Sequence, residues 1–329
     1  MDAEISILIV HYFAEDLLLK LFSSMRNFLT SHASEVLIWD NGSRTGRPDD
    51  ASTPGPLTWF PSPVNVGFAK GHNALAERAQ GKWFLVINPD AEFVSDGLEK
   101  LWDAAEKNPR AGVVAPRVQF PDGRLQLSVF PPYSFGFDWR KSFWLEHRPL
   151  FSGPQREIGN KLAEAQAPFP VGWASGACLL VSREVWKKVG GFDPNFFFGG
   201  EDADFCRRVW EAGFEVLCEP RALLNHQAGQ SLEREPRRKI LFYYQKRLYY
   251  AHKHFSRLQC GILWFTSAGE LAAKWAVGFF LSFFSRRWKE KRRGYAGALS
   301  LLFSGGWRYP ERLMQKTAGA VPEPVEAAV

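Results

Sequence analysis

LVINPDAEF, residues 85–93, decides how the chain is read. An apolar run leads into Asn88-Pro89-Asp90, so a buried strand ends on a carboxylate. Pro89 has no backbone N–H and pushes Asn88 toward extended geometry, so the chain turns here. In open α/β sheets the C-terminal edge of the strands is where ligands bind. If the flanking pattern is α/β, Asp90 stands at a binding edge.

The flanking pattern is of that kind. ISILIV at 5–10, EVLIWD at 35–40, a stretch near 57–60 and WFLVIN at 83–88 read as short strands, the long apolar runs as buried parallel ones. Residues 14–31 have helical spacing, with Leu17, Leu18, Leu21, Met25, Phe28 and Leu29 on or near one face. Residues 69–80 look helical, and Ser95 or Asp96 can cap a helix running to about 107. Strand and helix in alternation predict a doubly wound parallel sheet. Residues 120–170 are rich in Pro, Gly and aromatics without a lasting period, which predicts loops, an antiparallel excursion and a mobile lid-like segment. Strand character returns at 177–182 and helix at 183–189. A turn at 190–193, a helix over 201–212, a strand at 214–218 and a loop to His226 follow.

With 329 residues, 46% of them hydrophobic, the chain suits one large domain or two unequal ones. Thirteen Trp and 28 Phe exceed what a core needs, which favours sugar-stacking or interfacial surfaces. Cys178, Cys206, Cys218 and Cys260 have no C-x-x-C spacing, so neither zinc nor a disulfide scaffold is expected. The strand-like start lacks a signal-peptide pattern, and the expected setting is cytoplasmic. From about 236 the chain turns helical, aromatic and basic. Residues 262–284 are long enough to cross a bilayer. Glu270 and Lys274 argue against it, since each costs about 2.5–3.5 kcal/mol at a bilayer centre. The two lie four apart and can pair, so the expectation is an interfacial helix with RRWKEKRR (286–293) facing anionic lipid. The basic clusters lack interleaved base-stacking strands, which excludes a nucleic-acid binder.

Several short stretches carry chemistry. Asp40, in Asp40-Asn41-Gly42-Ser43, can accept hydrogen bonds from a ribose or a base imide. In Asn65–Asn73, Gly67 and Gly71 allow close backbone approach to a ligand, Asn73 can hydrogen-bond a nucleotide, and the helix start favours anions. No G-x-G-x-x-G follows the first strand, which disfavours a dehydrogenase. Asn88 and Asp90 offer oxygen ligands suited to Mg²⁺ or Mn²⁺, and His226 is a candidate third ligand. Glu201, Asp202 and Asp204 follow Phe196-Phe197-Phe198 and could supply a general base beside an aromatic wall.

In this order the stretches resemble the GT-A family 2 glycosyltransferases, in the bacterial rhamnosyltransferase-like branch. The matching pieces are ILIVHY, WDNGS at 39–43, PVNVGFAKGHN at 63–73, LVINPDAEF and GWASGACLLVSREVWKKVGGFDPNFFFGGEDADFCRRVWEAG at 172–213. Pro220 to Ser231, around His226, and KILFYYQKRLYYAHKHF at 239–255 extend the likeness. The resemblance implies a GT-A, Rossmann-like domain over 1–235; the aromatic, basic pattern predicts a helical membrane-associating region over 236–317, and the Pro and Ala of 318–329 predict a disordered tail. It implies that Asp40 and Asn65–Asn73, with Asn88 and Asp90, hold a nucleotide-diphosphate sugar. Asn88 and Asp90 occupy the metal-binding D-x-D position, with Asn in place of the first Asp, and His226 matches a metal-ligating position. Asp202 matches the general base, with Glu201 as second choice, while Trp173, Phe197 and Phe198 shape the acceptor side. The implied activity is inverting transfer from a donor such as dTDP-rhamnose to a glycan or lipid-linked hydroxyl. The basic, amphipathic tail predicts a peripheral location, on the inner face of the cytoplasmic membrane. The competing expectation is a catalytically weak or inactive scaffold of the same fold.

Overall fold

The computed structural model describes residues 3–43, 56–141, 153–227 and 236–308. The expected tail at 318–329, and Ser231 of the His226 stretch, lie outside the described residues. The chain forms two compact units, 1–134 with 145–194 and 201–228, and 135–144 with 195–200 and 229–329.

The first unit is built on one sheet. Its strands are β1 (Ile5–His11), β2 (Ser34–Asp40), β3 (Leu57–Pro61), β4 (Trp83–Ile87), β5 (Ala91–Phe93), β6 (Ala111–Gln119), β8 (Phe169–Pro170), β10 (Cys178–Ser182) and β11 (Glu215–His226). Their order is β3-β2-β1-β4-β10-β6-β11-β5, with β8 beside β11. The β3-β2, β2-β1, β1-β4 and β6-β11 pairs are parallel, whereas β10 runs antiparallel to β4 and β6, as β5 does to β11. A separate two-stranded pair joins β7 (Val129–Phe130) to β9 (Trp173–Ala174).

Period-two alternation sends side chains to both faces. Ile5, Ile7 and Ile9 pack with Leu18, Leu21 and Phe22 of α1 (Glu15–Ser31) and with Leu98 and Leu101 of α3 (Gly97–Lys107). Leu8, Leu37, Val86 and Leu179 point the other way. They meet Ala69 and Leu75 of α2 (Phe68–Ala76), Val185 and Trp186 of α6 (Arg183–Val189), and Phe205 and Val209 of α7 (Glu201–Glu211). The result is a mostly parallel sheet between two helical layers, as the alternation predicts. Gly71 serves this packing: a Cβ there would fall 2.7 Å from the Val10 side chain. The glycine therefore brings helix to strand.

The middle of the chain departs from expectation. Residues 120–170 hold β7, which pairs antiparallel with β9 as the expected excursion does, and two unexpected helices, α4 (Phe135–Lys141) and α5 (Gly153–Glu164); 142–152 lie outside the described residues. Leu162 is the one buried residue of α5, so no apolar stripe announces that helix. β6 is also unannounced, because Gly112 and Pro116 interrupt its apolar run. β10 pairs with it only at Val113 and Val114, so Pro116 sits beyond that ladder. The expected short strand and loop at 214–226 are one strand, β11. A register shift between Glu219 and Leu223 absorbs Pro220 there. Helix α2 stops at Ala76, short of the expected 80. Asp96 is the N-cap residue of α3, but its carboxylate bonds Lys100 at 2.7 Å instead of the helix end.

The second unit contains α4, α8 (Pro236–His254), α9 (Arg257–Leu281), α10 (Arg286–Phe303) and a 3₁₀ turn at Gly306–Arg308. Leu241, Phe242, Tyr244, Leu248, Leu271, Leu301 and Trp307 form its core. Arg247 is 2% exposed and pairs with Asp138 and Glu270 at 3.0 Å each, while Lys274 reaches Glu270 at 2.5 Å. The charges that argue against a spanning helix are thus turned into the bundle. Among the described residues no helix is long and apolar enough to cross a membrane.

His72 on α2 is fully buried, with Nδ1 3.0 Å from the Phe68 carbonyl. Burial pulls its pKa down from 6.5 to about 4. A base depressed this way favours the fold while neutral, so its contribution is whole above pH 6.5 and is lost as pH falls toward 4. The shift corresponds to about 3 kcal/mol. His72→Gln should flatten the loss of urea stability between pH 7 and pH 4 by roughly that amount. Equal losses in variant and wild type would assign the acid sensitivity elsewhere.

Candidate active site

The site follows from which strand ends share an edge. β1, β2 and β4 run parallel and finish at His11, Asp40 and Ile87. Because β10 is antiparallel to β4, with Cys178 opposite Ile87, its start falls at the same edge. There the Asn88 N–H donates to the Ala177 carbonyl at 3.0 Å. One residue earlier, the Gly176 N–H donates to Asp202 Oδ2 at 3.2 Å. Adjacent residues of one short loop thus hold Asn88 on one side and Asp202 on the other. A Cβ at Gly176 would sit 3.1 Å from the Phe68 ring, so the loop lies tight against the start of α2.

His226 arrives through strand register. β11 pairs with β5 so that His226 faces Ala91, the residue after Asp90. Its Nε2 lies 3.3 Å from Asp90 Oδ1 and 3.2 Å from Asn88 Nδ2. Its Nδ1 lies 3.3 Å from Gln126 Oε1. An amide oxygen only accepts, so Nδ1 carries the proton and donates to Gln126. Nε2 is left with a lone pair that accepts from the Asn88 amide N–H, with the Asp90 carboxylate oxygen beside it. A cation shared by Asp90 and His226 would take the place of that amide contact. Among the described residues no three His, Cys, Asp or Glu side chains converge as metal ligands. The donor set here is one carboxylate, one imidazole and one amide. It fits Mg²⁺ or Mn²⁺, which commonly take one or two protein ligands and complete their shell with water and phosphate.

Asp202 is the second residue of α7 and is half-buried, whereas Glu201, which opens the helix, is 5% exposed. The Ala203 N–H donates to Asp202 Oδ1 at 2.8 Å, so both carboxylate oxygens are oriented by backbone donors. Asp204 is fully buried and pairs with Arg208 at 2.8 Å. Arg208 in turn donates to the Val189 and Gly191 carbonyls at 2.5 and 2.8 Å. This pair anchors the Gly190-Gly191 turn, whose positive φ angles suit glycine.

The other sequence candidates divide. Asp40 is 3% exposed and accepts the Ser43 N–H at 2.9 Å and the Ser43 hydroxyl. Asn65 Oδ1 receives Asn41 Nδ2 at 2.8 Å and the Gly67 N–H at 2.9 Å, while Asn41 Oδ1 receives the Val66 N–H at 2.7 Å. These amides fasten the 64–67 loop over the end of β2. Gly67 has φ 87° and precedes α2 as its N-cap. Asn73 grips the Phe192 backbone twice, donating at 2.7 Å and accepting at 3.0 Å. Its amide ties α2 to the 190–192 turn, and no nucleotide contact is needed to account for it. Trp173 stacks on Phe130 with centroids 4.0 Å apart. Phe197 and Phe198 belong to the second unit and pack on Phe242 of α8 at 5.2 and 6.4 Å.

Sequence reasoning passes over His11 and Gln126. His11 is fully buried opposite Asp40, with Nε2 3.3 Å from Glu15. Burial lowers its pKa, and Glu15 and Asp40 oppose the shift. It reads as the last letter of an apolar run, and only the strand's end position could have flagged it. Gln126 lies in a polar loop without a pattern.

The mostly parallel sheet between helical layers is of the GT-A fold. Residues 6–190 match Glycosyl transferase family 2, and the chain belongs to that family. Residues 156–227 also match the N-terminal domain of galactosyltransferase. The N-acetylglucosaminyl-diphospho-decaprenol L-rhamnosyltransferase of Mycobacterium tuberculosis (strain CDC 1551 / Oshkosh) is 29% identical over 78% of this chain and 87% of its own. Among solved structures, mannosyltransferase PcManGT from Pyrobaculum calidifontis with GDP-Man and Mn²⁺ superposes with TM-score 0.52 at 16% identity. That match covers 92% of this chain and 87% of the other. GalNAc-T7 with UDP, GalNAc and Mn²⁺ gives TM-score 0.50 at 15% identity, over 68% of this chain and 44% of its own. The chain is a glycosyltransferase.

Gln126→Leu removes the acceptor that fixes the His226 tautomer. Mn²⁺ affinity should fall about 10-fold or more. In metal-free protein, ¹⁵N imidazole shifts should show proton occupancy moving toward Nε2. Unchanged shifts would release Gln126 from this role.

Proposed function

We propose that the chain is an inverting glycosyltransferase. It moves a sugar, with rhamnose from dTDP-rhamnose the first candidate, onto a hydroxyl of a cell-envelope glycan or lipid-linked acceptor. The observation that carries the reading is the shared loop at 176–177, which ties Asp202 and Asn88 to neighbouring backbone groups. The rhamnosyl preference rests on the mycobacterial relative, whose name includes a decaprenol-linked acceptor. A decaprenol-linked acceptor, as in that relative's name, is in keeping with work at a membrane, and the location proposed for this chain is peripheral, on the inner face of the cytoplasmic membrane.

Asp90 and His226, with Asn88 beside them, would hold a divalent cation. Bound there, Mg²⁺ or Mn²⁺ supplies positive charge for a departing diphosphate. Asp40 and the loop fastened by Asn41 and Asn65 form the nucleoside side. Asp202 accepts the proton of the acceptor hydroxyl as its oxygen bonds the anomeric carbon. The bond from that carbon to the diphosphate oxygen breaks, and the nucleoside diphosphate leaves with the electron pair. Attack opposite the leaving group inverts the centre, and no enzyme nucleophile is required. The backbone donors from Gly176 and Ala203 keep the Asp202 carboxylate aimed while the proton moves.

Asp202→Asn keeps the shape and removes the base. Its kcat should drop by about 10²–10⁴-fold, with nucleoside diphosphate affinity unchanged. Wild-type turnover would remove Asp202 from the reaction. EDTA should suppress transfer, and activity that persists in it would remove the cation. In a thermal-shift panel with Mn²⁺, dTDP-rhamnose should stabilise the protein more than UDP-galactofuranose or GDP- and UDP-hexoses at equal concentration. A different winner would reassign the donor while leaving the chemistry intact.

A further inference from the structure

Among the described residues, the helical bundle leaves one long face uncovered. On α9, Leu258, Ile262, Phe265 and Phe280 are exposed at 74, 38, 75 and 67%. Their spacing places them on one side of the helix, and the small residues Gly269, Ala272, Ala273 and Ala276 fill the stripe between. Just past the helix end, Phe283 and Phe284 are 73 and 87% exposed. No charged residue interrupts the stripe. Glu270 is held on the opposite side by buried Arg247, and Lys274 follows it. The helix is about 37 Å long at 1.5 Å per residue. A contiguous apolar face of this length calls for an apolar partner.

Charge says which partner. α9 and α10 form an antiparallel hairpin: Gly278 meets Arg292, and the Trp264 indole donates to the Leu302 carbonyl at 3.3 Å. At its tip, beside Phe283 and Phe284, stand Arg286, Arg287, Lys289, Lys291, Arg292 and Arg293, against a single acid, Glu290. Lys291 lies over the Trp288 ring at 4.4 Å, and Arg292 over Phe279 at 5.5 Å. Ser282, Ser285, Arg286, Lys289 and Arg293 are among the residues lining a cavity of about 470 Å³ at the tip. An apolar stripe bordered by aromatics and cations matches an interfacial helix on anionic lipid, not a neutral protein groove.

We propose that the outer face of α9 and the α9–α10 tip form a docking surface for an anionic phospholipid bilayer. The helix lies in the headgroup boundary, Phe265, Phe280 and Phe284 enter the acyl region, and the tip cations bind lipid phosphates. This deepens the peripheral location proposed above, and it is independent of the transfer chemistry.

The test is co-sedimentation of the full chain with phosphatidylcholine vesicles, with and without 30 mol% phosphatidylglycerol, at 0.1 M salt. Wild type should bind the anionic vesicles at least tenfold more tightly than the neutral ones. Replacing Phe265, Phe280 and Phe284 together by Ser should abolish that binding without lowering the melting temperature. The Arg286→Ala, Arg287→Ala, Lys289→Ala triple variant should weaken it on the order of a hundredfold. Both should keep wild-type turnover on a water-soluble acceptor, so loss of vesicle binding and loss of transfer are read separately. Wild-type affinity in both variants would overturn the proposal. So would a dimer in solution that the Ser variant dissociates, since a second copy would then own the face.

Discussion

The hydrogen bond from the Asn88 N–H to the Ala177 carbonyl is the constraint on which the rest depends. It exists because β10 runs against β4, which returns the chain to the C-terminal edge of the parallel strands. Without that reversal, residues 175–177 would lie at the far end of the sheet, and Asp202 would have no backbone donor beside the Asn88 turn. Pro89 then stops β4 and turns Asp90 out of the sheet. The pairing of β11 with β5 carries His226 to the same place. Two separate strand pairings, β10 with β4 and β11 with β5, thus bring their ends to the turn at Asn88-Pro89-Asp90.

Around that volume the polar side chains split into those that hold the chain and those left to act. Asn41, Asn65 and Asn73 spend amide groups on backbone atoms of the loops they fasten. Asp204 and Arg208 do the same for the glycine turn. Such internal satisfaction is what buried polar groups require. Asp90 and Asp202 differ, because their contacts orient them and leave carboxylate lone pairs over, and His226 stands beside Asp90 with Nε2 toward it. Reaction chemistry belongs to groups of that kind.

Much of this was legible in the residues. The strands of the doubly wound half announce themselves by apolar runs, and Pro89 punctuates the strand that matters most. Asp90 could be found because a carboxylate at such a punctuation mark is conspicuous. His226 could be named only as a candidate third ligand, since one His carries no spacing; the resemblance is what matched it to a metal-ligating position. Gln126 sits 100 residues from the histidine it contacts, in a loop with no period, and nothing local marks it. Asn73 and Gly71 look the same in sequence whether they serve a ligand or the packing of α2, and coordinates show the second use. The helices α4 and α5 escaped because neither carries an apolar stripe.

The central claim is that one cation site and one base flank the same reacting atoms. Crystals of the protein grown with Mn²⁺ and a non-hydrolysable nucleotide sugar, measured at the manganese edge, test it most directly. The account predicts one anomalous peak bonded to Asp90 and His226, with the sugar's anomeric carbon on the side that Asp202 faces. A peak bonded to neither residue, or an anomeric carbon turned away from Asp202, would contradict it.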